Sequence, residues 1–146
     1  MIITQKNQYA IRAVFELAKR REQGPIKINE IAQAQKIPTR FLEIILNQLK
    51  RSGLLESKRG FYGGYTLIRS PDEITVGEIL RMMDKSSESL YRITGMVRDD
   101  QRFEGSGIFL SMWTKAHKAL IDVLDNTTIQ NLLDQSSANE TPEHLF

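Results

Sequence analysis

From Tyr9 onward, apolar residues return at three- and four-residue steps (Tyr9, Ala10, Ala13, Val14, Leu17, Ala18), the period of one helical face, and the pattern stops near Gly24-Pro25. A short second helix carries Ile28, Ile31 and Ala32. Lys36-Ile37-Pro38 interrupts it, and Phe41, Leu42, Ile45, Leu46 and Leu49 resume helical spacing in a third helix. Pro38 suits a first turn, where its missing N–H has no partner to lose. Gly53 ends the third helix by taking a left-handed cap.

The period then changes. Leu54 to Lys58 and Tyr65 to Ile68 read as two short strands joined by Arg59-Gly60-Phe61-Tyr62-Gly63-Gly64. The glycines of this tip predict positive φ and a close approach of backbone to another surface, as a wing needs along a groove or phosphates. Phe61 and Tyr65 read as packing the wing. A fourth helix starts at Thr75, with Thr75 and Glu78 as a capping box and Ile74 and Ile79 as the flanking staple.

Residues 85–107 are polar, contain Gly95, Gly105 and Gly107, and have no clear period, so a long loop with some local helix is expected. From Phe109 a seam of Phe109, Trp113, Ala116, Leu120 and Val123 steps by four, three, four and three, with Met112 widening it. Two readings stand: a helix packed on its own domain, or a helix packed on a second copy. Asn126-Thr127-Thr128 breaks and recaps the chain before a brief helix with Ile129, Leu132 and Leu133. The expected organisation is a domain over 1–84, a loop over 85–107, helices over 108–133 and a flexible polar tail over 134–146. The fold class is mainly α with a small β-hairpin wing: a winged helix-turn-helix with a long C-terminal helix.

Charge adds what periodicity cannot. Residues 1–70 hold 13 Lys and Arg against five Asp and Glu, a net +8, while residues 71–146 hold seven against 13, a net −6. The basic half is the candidate surface for a polyanion. No apolar run reaches membrane-spanning length and no signal pattern opens the chain, so a cytoplasmic protein that does not engage membranes is expected.

In a winged helix-turn-helix the third helix enters the major groove and the wing touches adjacent backbone. On that helix Pro38, Thr39, Arg40, Glu43, Asn47, Lys50 and Arg51 lie at its start or off the apolar stripe. Arg40 suits bidentate reading of guanine, Glu43 accepts from cytosine, and Lys50 and Arg51 hold phosphates. Gln5, Lys6 and Tyr9 at the start of helix one, with Lys58, Arg59, Gly60, Tyr62 and Gly63 in the wing, flank the reading helix. Double-stranded DNA is the expected partner. The alternative is a protein adaptor on a winged-helix scaffold, which the basic half disfavours. An enzyme is the weakest reading and is not expected, since the sequence has no cysteine nucleophile, no phosphate-cradling loop and no Ser/His/Asp spacing.

Thr4 to Tyr9, Gly24-Pro25, Glu30-Ile31-Ala32, Leu49 to Leu55 and Arg59-Gly60-x-x-Gly63-Gly64-Tyr65-x-Leu67 resemble the IscR/NsrR/CymR family of bacterial winged-helix regulators. Thr75 to Ile79 and Trp113 to Leu133 extend the likeness to nearly the whole chain. The resemblance implies a transcriptional regulator, expected to be a repressor, that works as a homodimer through the helix after Trp113. Its two reading helices would sit about 34–36 Å apart on a palindrome. It also implies base or groove contacts by Arg40, Glu43 and Arg59. Many members hold an iron-sulfur cluster through three cysteines and often a histidine in the loop before Trp113. This chain has no cysteine, and Gly107 and Leu110 stand where a cysteine and the histidine would fall. No thiolate-ligated cluster can form, and His117 and His144 are too few and too far apart to substitute. The expected cofactor is none, with a small-molecule or protein effector bound near residues 85–113, where Phe103, Phe109, Met112 and Trp113 are candidates.

Overall fold

The computed structural model describes residues 4–84 and 104–139. Helix α1 spans Gln5–Lys19, α2 Ile28–Gln35 and α3 Thr39–Arg51; strands β1 (Leu55–Lys58) and β2 (Gly64–Leu67) form the hairpin. Helix α4 spans Val76–Met83, α5 Ser106–Asn126 and α6 Ile129–Asn139. Short 3₁₀ turns at Arg21–Gln23 and Pro71–Glu73 close the gaps after α1 and before α4.

Local chemistry sets these boundaries. Thr4 caps α1 by accepting from the Asn7 N–H at 3.2 Å. The Pro38 carbonyl starts α3 by accepting from Phe41 and Leu42, both at 3.1 Å. Gly53, at φ 82°, turns the chain out of α3. The Thr75–Glu78 capping box forms as expected, the Glu78 N–H giving to Thr75 Oγ1 at 3.1 Å and the Thr75 N–H to Glu78 Oε2 at 3.3 Å.

Helix α1 is the central pillar of the core. Its Ala10, Ala13, Val14 and Leu17 are buried against Leu42, Ile45, Leu46 and Leu49 of α3, Ile31 of α2, Leu55 and Leu67 of the hairpin, and Ile74 and Ile79 around α4. Small alanines on α1 let the surrounding elements approach it closely, while α3 supplies the bulk. Deleting a fully buried side chain such as Leu46 would cost about 2–5 kcal/mol. Ile129 at the head of α6 returns to this core with no exposed surface.

In the hairpin Leu55 pairs with Leu67, Glu56 with Thr66, Ser57 with Tyr65 and Lys58 with Gly64. The pair is too small to stand alone. It is docked through the β2 edge close to the tip, where Ile26 and Tyr65 exchange backbone hydrogen bonds of 2.9 and 2.8 Å. Tyr65 packs against the core, as expected. Phe61 does not: it is 79% exposed at the tip, edge-on to Tyr62 with ring centroids 5.0 Å apart. The ring lies at the turn, outside the core cluster, with Lys27 Nζ 5.0 Å from its centroid.

Three other boundaries and faces differ from expectation. Helix α5 begins at Ser106, inside the loop expected over 85–107, because Gly105 at φ 81° turns the chain and its carbonyl accepts from Ile108. Residues 134–139 continue α6 and are not a tail, helped by a reciprocal Thr128–Asn131 cap at 2.9 and 3.0 Å and a Gln130–Asp134 side-chain bond. Leu120, placed with the outer seam, is partly buried against Val76, Leu80 and Leu124 of its own chain. Most of the expected 85–107 loop, including Phe103, lies outside the described residues, as do 140–146.

The root of α5 is fastened to α4. Arg81 grips Asp125 with Nη1–Oδ1 and Nη2–Oδ2 both at 2.8 Å. The Val76 N–H gives to the Thr127 carbonyl and the Ile129 N–H to the Ile74 carbonyl, each at 2.9 Å. Gly77 is buried at this joint, and a Cβ there would fall 2.0 Å from Asp125 Oδ1, so the joint as built requires glycine.

Candidate nucleic-acid interface

The buried stripe of α3 (Leu42, Ile45, Leu46, Leu49) leaves the opposite side of the helix free. Arg40, Glu43, Asn47, Lys50 and Arg51 are all exposed there, with Pro38 and Thr39 exposed at its start. One amphipathic helix therefore anchors itself with one face and offers polar groups with the other. Arg40 is held in place by its guanidinium lying 4.9 Å from the centre of the Phe41 ring. Lys50 leans toward the hairpin and gives to Ser57 Oγ at 2.6 Å, tying the reading helix to β1.

Two other elements flank α3. At the start of α1, Gln5 and Lys6 are exposed, while Tyr9 is half-buried against the core. Arg12 sits 5.4 Å from the Tyr9 ring centre and its guanidinium also gives to Gln35 Oε1 and to the Gln35 carbonyl, linking α1 to the end of α2. In the wing, Lys58, Arg59, Gly60 and Tyr62 are exposed, Tyr62 at 81%.

Gly63 has a different place from the one expected of it. It is buried, and a Cβ on it would fall 2.1 Å from the Lys58 carbonyl oxygen. At Gly64 a Cβ would fall 2.5 Å from the Ile26 carbonyl. The close approaches that these two glycines permit are thus to the chain's own backbone. Of the three wing glycines, Gly60, at φ 109° with open space around it, is the one placed to bring backbone against an outside surface.

Sequence periodicity also assigned Phe41 to the buried stripe and gave Ile44 no role. Phe41 is 43% exposed and Ile44 54%, and with Gln5, Lys6 and Tyr9 they line a notch of about 280 Å³ between α1 and α3. The available signal was spacing: Ile44 lies four residues from Arg40 and three from Asn47, on the reading side. Lys27 was missed because its partner, Phe61, is close only after folding.

Behind the wing, Arg69 braces β2 to α4. Its Nη1 and Nη2 reach Glu78 at 2.8 and 3.3 Å, and Nη2 also gives to the Glu73 carbonyl at 2.6 Å. The Arg69 hydrogen bond holds the Glu78 carboxyl below its usual range, aided by the Thr75 N–H and by the charges of Arg69 and Arg81, against an opposing effect of burial.

The seam residues of α5 do not share one environment. Phe109, Trp113, Ala116 and Val123 are exposed, whereas Leu120 contributes to the chain's own packing. Ile108, Leu110 and Met112 are exposed as well, so the uncovered apolar surface is wider than the seam expected.

The described residues assemble no metal centre. The chain has no cysteine, and among the described residues no three His, Cys, Asp or Glu side chains are grouped closely enough to hold an ion. Among those residues, too, no helix is long and apolar enough to cross a membrane.

The same arrangement recurs in known proteins. CymR of Bacillus subtilis is 30% identical over 96% of this chain and 95% of its own length. IscR of Pectobacterium carotovorum is 30% identical over 92% of this chain and 80% of its own. Both are named HTH-type transcriptional regulators. Among solved structures, CymR, the global cysteine regulator of B. subtilis, matches 92% of this chain and 98% of that one at TM-score 0.78 and 31% identity. IscR of T. potens matches 99% and 96% at TM-score 0.76 and 29% identity. The family described as Rrf2, iron-dependent transcriptional regulator, matches residues 3–135. With the reading helix, the wing and this agreement over the whole body, the chain belongs to the Rrf2 family and is a DNA-binding transcriptional regulator, not an enzyme.

Proposed function

We propose that the chain is a cytoplasmic repressor that acts as a homodimer on a palindromic operator and works without an iron-sulfur cluster. The observation that carries the reading is the exposed apolar surface of α5. Ile108, Leu110, Met112, Trp113 and Val123 are each between 48% and 75% exposed on one helix, beside a domain whose own core is closed. An apolar surface of this extent is a contact surface. A second copy covers it with the same face of its own α5, the self-complementary arrangement of a two-fold dimer. Such a dimer brings two copies of α3 to bear on two half-sites, so the operator mirrors the symmetry of the protein. A dimer seated on a promoter represses by occupying it.

The reading treats Arg40, Glu43 and Asn47 as base-contacting residues. Gln5, Lys6, Lys50, Arg51, Lys58 and Arg59 take phosphates or the neighbouring groove. Without thiolates, control passes to a small molecule or protein that meets α5 and the segment before it, with Phe109, Met112 and Trp113 as the described part of that site.

The test is selection from a random duplex library with metal-free protein at two salt concentrations, paired with the mass of the free protein by sedimentation. A dimer that enriches an inverted repeat with a steep salt dependence supports the reading. A monomer that binds a single asymmetric site overturns the dimer, and binding only after iron is supplied overturns cluster independence.

A further inference from the structure

We propose that Ile44 reads sequence by seating the 5-methyl group of a thymine in the notch that it forms with Phe41 and Tyr9. The inference rests on the DNA-reading role of α3. Ile44 is 54% exposed although it lies on a helix whose apolar residues are otherwise buried or at the edge of the core. It has Arg40 one turn before it and Asn47 three residues after it, both exposed and on the same side. A side chain so placed meets whatever Arg40 and Asn47 meet.

The notch has one apolar flank and one polar rim. Phe41 and Tyr9 supply the flank, and Gln5 and Lys6 the rim. The Arg40 guanidinium lies against the Phe41 ring, so a cation stands at the edge of the apolar surface. This pattern suits an occupant that is apolar at its tip and anionic on either side, and the first 70 residues, at net +8, are charged to receive such a polymer. In duplex DNA the major groove offers one apolar group, the thymine methyl, flanked by phosphates. Cytosine in the same position presents an amino donor, which an isoleucine cannot accept. Ile44 therefore distinguishes T·A from C·G without a hydrogen bond, while Arg40 and Asn47 use hydrogen bonds on neighbouring pairs.

The probe is the selected operator with deoxyuridine replacing each thymidine in turn, which removes the methyl and nothing else. Wild-type protein should bind about fourfold more weakly when the critical thymine of one half-site is replaced, the factor expected for one buried methyl-sized group. Ile44→Ala should show a penalty close to onefold at that position and should no longer prefer T·A over C·G there. The substitution is exposed and favours helix, so the fold is retained. Ile44→Val, which keeps a branched apolar surface, should retain most of the penalty. The proposal is overturned if no deoxyuridine weakens wild-type binding, or if Ile44→Ala keeps the full penalty. An Ile44→Ala variant that reads the operator normally but shifts the monomer–dimer balance also overturns it, by assigning the notch to a second copy. If no duplex is enriched by the wild-type protein, the DNA-reading role falls and this inference falls with it.

Discussion

Replacing Gly64 by alanine should loosen the wing from the body, and the cost follows from the local geometry. Gly64 sits at φ 148°, and a Cβ there would lie 2.5 Å from both the carbonyl carbon and oxygen of Ile26 and 2.9 Å from its nitrogen. These are backbone atoms and cannot rotate away, so β2 must withdraw. Withdrawal by about 1 Å stretches the paired bonds between Ile26 and Tyr65 beyond hydrogen-bonding distance. Two such bonds contribute about 1–3 kcal/mol, and the disfavoured φ adds about 1–3 kcal/mol. The expected loss is about 2–6 kcal/mol out of a total stability of about 5–15 kcal/mol. Gly60→Ala is the control: its φ of 109° carries the conformational cost, but nothing lies within 4 Å of its Cβ position. Urea unfolding followed by circular dichroism measures both variants. Gly64→Ala should be less stable than Gly60→Ala by at least about 1 kcal/mol. Equal losses would refute the claim that close approach to Ile26 demands glycine, and a Gly64→Ala protein as stable as wild type would refute the whole argument.

On the DNA side, Glu43→Ala should relax base preference by about 1–3 kcal/mol at one pair, measured by repeating the selection. Arg59→Ala should weaken binding and, if it neutralises one phosphate, lower the salt slope by about one in fluorescence titrations. For the proposed dimer, Val123→Glu should give folded monomers by sedimentation, because Val123 is 61% exposed and outside the core. Leu120→Glu should also destabilise the fold, since Leu120 packs on Val76 and Leu80. Glu78 has its carboxyl pKa lowered chiefly by Arg69, so its contribution is present above the unfolded-state pKa and is lost as pH falls through the folded value. Wild type and Glu78→Gln should therefore converge in stability as pH drops from about 5 toward 3, and a constant gap would contradict that role.

Features decided within a few residues were legible in the sequence. The Thr75–Glu78 box, the Gly53 cap and the Thr127-Thr128 break all involve near neighbours in the chain, and each forms where its residues predict. Helix α3 was legible because its buried stripe is regular. What failed depended on which distant surface a residue meets. Leu120 shares a helical period with Trp113, but the root of α5 leans on α4 whereas its outer part does not. Gly63 and Gly64 announced a close approach, but spacing cannot say whether a ligand or Ile26 stands opposite. Phe41 fits the apolar period yet sits at the rim of the stripe, and Ile44 breaks the period, which is the trace it left in the sequence.

The fastening of α5 to α4 has a mechanical consequence. A 21-residue helix is about 31 Å long, so a tilt of about 10° at its root displaces the far end by about 5 Å. The root is held by the Arg81–Asp125 pair and by backbone bonds at Val76 and Ile129, while the far end carries the exposed apolar surface. In the proposed dimer the helix is a lever whose fulcrum is Asp125 and whose load is the distance between two reading helices. A ligand that nudges its outer end would change the span between half-sites by a sizeable part of a helical turn, and the fit to a fixed operator would change with no movement inside either DNA-reading domain.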